Sequence, residues 1–131
     1  MRRLIASVSL LALVSAASAQ TPRLRVDLGC TPTDLALTYM CTVGVADPAG
    51  SPVDGAQVTL SADMPSMPMA HNVSPVKAQP VPGRPGNYQG RLTLEMTGEW
   101  VVRLRFEAPH RDVVVRKFDF QRDKVSAAGA R

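Results

Sequence analysis

The sequence predicts an all-β fold: a single antiparallel β-sandwich of about seven strands. Three observations carry that prediction. Apolar and polar residues alternate with period two along most of the chain, and no stretch shows a 3.6-residue period. Turn-forming residues recur every eight to twelve positions, roughly the spacing of sandwich strands. The single tryptophan, Trp100, falls on the apolar parity of a central segment. A closed barrel is the other architecture such a pattern allows.

The N-terminus precedes this pattern. Arg2 and Arg3 lead into a mostly apolar run from Leu4 to Val14, and Ala17-Ser18-Ala19 is a small-x-small cleavage site. Together they predict a signal peptide over residues 1–19 and a periplasmic or otherwise extracytoplasmic location. The run is shorter than the roughly 20 apolar residues that cross a bilayer, although an uncleaved anchor is the competing reading. The domain is expected over 20–120. Residues 121–131 are small and polar and read as a frayed tail.

Within the domain, Leu24, Val26, Leu28 and Cys30 share one face of a first strand. Leu35, Leu37, Tyr39, Cys41, Val43 and Val45 share one face of a second. Both cysteines take the inward parity of neighbouring segments. An oxidising compartment favours a disulfide between them, and their spacing of eleven is not that of zinc ligands. Asp47-Pro48-Ala49-Gly50-Ser51-Pro52 and Asp54-Gly55 are turn material. Ala56, Val58, Leu60, Ala62 and Met64 then alternate with polar neighbours. From Pro75 to Pro85 the density of proline allows only short edge strands, because proline donates no ladder hydrogen bond. Tyr88, Gly90, Leu92, Leu94 and Met96 form the next inward face. Thr97-Gly98 turns the chain, Trp100, Val102, Leu104 and Phe106 face inward, and a last strand covers Asp112 to Phe120.

Charge excludes one class of function. Without Arg2 and Arg3 the chain holds thirteen basic residues against eleven acids, a formal charge of +2, and no basic run exceeds two residues. A nucleic-acid footprint needs a clustered basic patch. Arg91, Arg103 and Arg105 take outward parities and read as a solvated sheet face. Enzyme signatures are also missing. Asp63, Ser66 and His71 are the letters of a hydrolase triad, but they are neighbours in a Pro-rich segment without a nucleophile elbow. No phosphate-binding glycine motif is present, and the chain is read as a non-enzyme.

The densest chemistry lies in Met64-Pro65-Ser66-Met67-Pro68-Met69-Ala70-His71. Three of the six methionines and one of the two histidines fall in these eight residues. Thioether and imidazole together suit Cu(I). In polyproline II geometry Met64 and Met67 project on one side; in an extended strand Met67, Met69 and His71 share a face. The alternative is packing, since methionine is an adaptable core filler and Met64 has inward parity. Met96 and Trp100 lie beside turns and border the candidate site, with Trp100 reading primarily as a core residue. His110 is a separate loop residue and is left outside the site.

The order of these features resembles a known family. Gly55-Ala56, Val58-Thr59-Leu60, the Met/His segment, Pro82-Gly83, Gly86-Asn87-Tyr88-Gln89-Gly90 and Met96-Thr97-Gly98-Glu99-Trp100 are similar to the YtkA-like and FixH-like domains of bacterial envelope proteins. The resemblance covers roughly residues 35–107. It implies an immunoglobulin-like sandwich, an extracytoplasmic accessory role, and copper supply to a respiratory oxidase or association with metal efflux components as partner systems. It implies Met64, Met67, Met69 and His71 as the metal region. The Cys30–Cys41 pair is not part of the family pattern. The expectation is therefore an exported copper-binding or copper-handling protein without a membrane span in its mature form. The alternative is a metal-free structural or interaction module that docks an envelope partner.

Overall fold

A computed structural model describes residues 15–17, 22–67 and 73–128. Apart from residues 15–17, the predicted leader lies outside the described residues, as do Met69 and His71. Among the described residues no helix is long and apolar enough to cross a membrane.

Among the described residues nine strands form: β1 (Arg25–Pro32), β2 (Thr38–Ala46), β3 (Gln57–Asp63), β4 (Val76–Lys77), β5 (Gln79–Pro80), β6 (Asn87–Thr93), β7 (Gly98–Ala108), β8 (Asp112–Phe120) and β9 (Val125–Ala127). They make two antiparallel sheets with the orders β1-β2-β6-β5 and β4-β3-β7-β8-β9. The alternation in sequence is what fixes this arrangement. Tyr39, Cys41, Val43 and Val45 of β2 are buried, as are Val58, Leu60 and Ala62 of β3 and Trp100, Val102, Leu104 and Phe106 of β7. Each large apolar side chain taken out of water stabilises the fold by about 2 kcal/mol. A one-residue slip of any strand would turn its whole apolar set outward. Trp100 is buried on β7, the middle strand of its sheet.

The two sheets are also tied by polar groups. The Tyr39 hydroxyl donates to the Gln121 carbonyl at 2.8 Å, linking β2 to the end of β8, and the Tyr39 ring meets Phe120 edge-on with centroids 4.8 Å apart. The Tyr88 hydroxyl donates to the Val53 carbonyl at 2.7 Å and accepts from the Ala56 amide at 2.9 Å. That second link joins β6 to the segment entering β3. In the first sheet Cys30 stands directly opposite Cys41 in the β1–β2 register, Cα to Cα 4.0 Å, and the two form a disulfide.

Three expectations are corrected. The second strand begins at Thr38, so Leu35 and Leu37 belong to the preceding turn. There the Thr33 amide and hydroxyl both donate to the Thr38 carbonyl, Leu37 adopts φ 54°, and Leu35 is exposed. The pairing of Cys30 with Cys41 leaves these residues to close the hairpin, and the threonine hydroxyl competes for the backbone. The inward face that starts at Tyr88 ends at Leu94, and Met96 lies in a bend outside β6. The predicted tail contains β9, which pairs Val125 with Phe120 and half-buries Val125; covering part of the β8 edge is the physical reason. Arg91 on one sheet and Arg103 and Arg105 on the other all face outward, as their parity indicates. The proline-rich stretch behaves as expected: β4 and β5 are two residues each and each sits at a sheet edge.

Candidate functional site

β3 delivers Met64 to the end of the sandwich. The alternation that buries Val58, Leu60 and Ala62 continues one residue past the strand and buries Met64 at 4% exposure. Pro65 then presets φ at the second position of a tight turn. The Met67 amide closes that turn onto the Met64 carbonyl at 3.0 Å. This is not the polyproline geometry in which both side chains would project together: Met64 points into the core, and Met67 is 39% exposed. Met69 and His71 lie outside the described residues. The Val73 amide donates to the Ala62 carbonyl at 3.4 Å, which sets Val73 beside the end of β3.

The β6–β7 connection packs against the same place. Leu94 is buried, and its amide is held by the Leu37 carbonyl at 2.8 Å. Met96 is 37% exposed in the following bend, and the Trp100 indole N–H donates to its carbonyl at 3.1 Å. Gly98 adopts φ +130°, a conformation open to glycine, and a Cβ placed there would lie 3.3 Å from Met64 Cε. Met64 therefore underlies both turns. One end of the sandwich carries a buried methionine flanked by two solvent-facing methionines from separate connections.

The other candidates fall elsewhere or are already engaged. Asp63 accepts a 2.8 Å ion pair from Arg103, which removes it from any triad with Ser66. Cys30 and Cys41 are bonded to each other, so neither offers a thiolate. His110 follows β7 at its far end, and an eleven-residue strand places it roughly 30 Å from the Gly98 end. Among the described residues no group of three or more His, Cys, Asp or Glu side chains gathers to hold a metal ion. A hollow of about 380 Å³ lined by Val73, Ser74, Val76, Arg91, Thr93 and Glu95 lies between the returning chain and β6. The contact between Met64 and Gly98 was not foreseen from sequence. Its signals were the inward parity of Met64 and a glycine two residues before the buried tryptophan.

A family model described as YtkA-like matches residues 38–105. That span is more than half of the chain, and the chain belongs to this family. It runs from the first residue of β2 into β7 and contains Met64, Met67, Met96 and Trp100, whereas Cys30 and β8 lie outside it. No curated protein and no solved structure matches the chain.

Proposed function

We propose that this YtkA-like protein is an exported accessory protein that binds and hands on copper, as Cu(I), through its methionine-bearing end. The donors are Met67, Met69 and His71. Met64 is the buried support beneath them, and Met96 and Trp100 form the border. A respiratory oxidase or an efflux component is the receiving partner. The role is binding and transfer, with no catalytic step.

The observation that carries this reading is the exposure of Met67 and Met96 at one end of the sandwich. Among the described residues only five large apolar side chains are exposed, and these two methionines are among them. Thioethers are soft, uncharged donors that favour Cu(I), and two of them exposed at neighbouring turns offer a surface for a soft ion or a partner. The disulfide suits an oxidising compartment, in keeping with export.

A second reading has its own observation. Met64 is buried against Gly98 and acts as core packing, which is the role a metal-free interaction module would give the whole cluster. Titration of the mature protein with Cu(I) against a competing chelator separates the two. Copper handling predicts competition that disappears in the Met67→Ala, Met69→Ala, His71→Ala triple variant, and a rise in melting temperature with Cu(I), because a ligand of the folded state stabilises it by mass action. Absence of binding, or binding unchanged in the triple variant, leaves the packing reading.

A further inference from the structure

β8 is only partly covered at its outer edge. Its inner edge pairs with β7 from Gly98↔Phe120 to Phe106↔Asp112. β9 covers the outer edge only along Phe118–Phe120, extended by one bond in which the Ala128 amide donates to the Lys117 carbonyl at 3.0 Å. That bond identifies the odd-numbered residues of β8 as those whose main-chain groups point to the outer edge, because N–H and C=O directions alternate along a strand. Val113 and Val115 share this parity. Among the described residues their edge groups meet only side chains of adjacent residues: the Val113 amide donates to Asp112 Oδ1 at 2.8 Å, and Arg116 Nη1 donates to the Val115 carbonyl at 3.0 Å. Both valine side chains are about half exposed, at 50% and 47%. An apolar edge with spare main-chain groups is a template for strand addition.

The sequence of this edge is complementary to itself. Antiparallel pairing centred on Val114 sets Val113 opposite Val115 of a second copy, and Val115 opposite Val113. These are the residues whose main-chain groups face outward, so each pair can exchange two hydrogen bonds. Asp112 then stands opposite Arg116 of the other copy, twice, in the non-hydrogen-bonded positions where side chains come closest. Registers shifted by one residue would oppose outward-facing to inward-facing main-chain groups. The covered stretch Phe118–Phe120 and the β7–β8 hairpin limit the contact to about these five residues. Arg111 faces Lys117 of the other copy at its margins, which weakens the contact.

We propose that the protein self-associates through Asp112–Arg116, two β8 edges joining the five-stranded sheets into one continuous sheet across a two-fold axis. The methionine-bearing ends then point away from each other at opposite extremities, so the association leaves both free.

The test is sedimentation velocity of the mature chain from about 10 µM to about 1 mM, the range suited to an interface this small. The expected result is a concentration-dependent monomer–dimer equilibrium. Arg116→Asp sets carboxylates against each other and should raise the dissociation constant at least tenfold. Asp112→Arg combined with Arg116→Asp restores opposite charges and should recover association to within about threefold of the native value. Thermal melts of each variant check that it folds, and Val115→Lys supplies a second disruption of the edge. A monomer at every concentration overturns the proposal. So does a dimer indifferent to Arg116→Asp and Val115→Lys, which would use another surface, as does a double variant no better than the single one.

Discussion

The terminal methyl of Met64 packs against Gly98, 3.3 Å from where a Cβ would stand. This one contact joins the turn bearing Met67 to the turn bearing Met96. It separates two methionines that look equivalent in sequence, three residues apart in a single motif. Met64 is structural and Met67 is presented. Met64→Ala should cost about 2–5 kcal/mol, as for other large-to-small core changes. Met67→Ala should stay within about 0.5 kcal/mol. Urea denaturation of the two variants checks this, and similar losses would mean that Met67 is packed as tightly as Met64.

The disulfide closes a short ring between β1 and β2. Since β1 pairs only with β2 in its sheet, the bond holds an edge strand whose Val26 and Leu28 are only half-buried. Replacing both cysteines by serine should lower stability by about 3 kcal/mol in the loop-entropy picture. Cu(I) affinity should not change, because neither cysteine is among the proposed donors. A copper affinity that falls with the double substitution would tie the disulfide to the site and sink this separation of roles.

Much of the fold was legible because burial on a strand repeats every two residues. Val102, Leu104 and Phe106 could be set inside and Arg103 and Arg105 outside from parity alone. What escaped was set by turns and edges. Leu35 and Leu37 continue the parity of β2, yet Thr33 closes a turn around them, and parity carries no information about where a ladder stops. Met96 failed for the same reason. Val125 pairs with Phe120 because β8 leaves an edge open, a fact that exists only once the sheet is assembled. The candidate site was legible as a composition and illegible as a surface. Nothing in Met64-Pro65-Ser66-Met67 states that the turn inverts one side chain relative to the other.

Tyr39 gives the fold an alkaline limit. Burial raises its phenol above the ordinary value of 10.0, and the Arg122 charge opposes that rise. In the unfolded chain the proton leaves near 10.0, whereas in the fold it is retained to higher pH. The neutral, hydrogen-bonded phenol therefore contributes its full stability below pH 10.0 and loses it as pH rises from there through the raised value. Melting temperatures between about pH 9 and about pH 11.5 should fall more steeply for the native protein than for Tyr39→Phe. Parallel curves would show that the Tyr39 proton is not linked to folding.

With the proposed donor set, copper affinity would depend on pH through His71, whereas thioethers do not titrate. Imidazole binds metal only when unprotonated, so affinity for Cu(I) should decline as pH falls through the mildly acid range. His71→Ala should bind more weakly above that range and show little change between about pH 5 and about pH 7.5. Competition titrations at the two extremes measure the slope. Equal slopes in the native protein and the variant would remove His71 from the donor set while leaving the methionines to be judged on their own.

Trp100 offers a direct optical report on the Met96 turn. It is the only tryptophan in the chain, it is fully buried, and its indole N–H donates to the Met96 carbonyl at 3.1 Å. Emission from a buried indole responds to its hydrogen bond and to a heavy ion nearby. A soft ion bound between the two exposed methionines would draw on a turn whose backbone the indole already holds. Titration with Ag(I), a redox-stable stand-in for Cu(I) with the same preference for thioether donors, should change Trp100 emission and saturate. Met96→Ala should reduce the amplitude if the ion reaches that turn, while Met67→Ala should shift the midpoint. A saturable Ag(I) complex seen by mass spectrometry without any change in emission would place the ion away from Met96. The border would then belong to the fold alone, and the proposed donors would stay Met67, Met69 and His71.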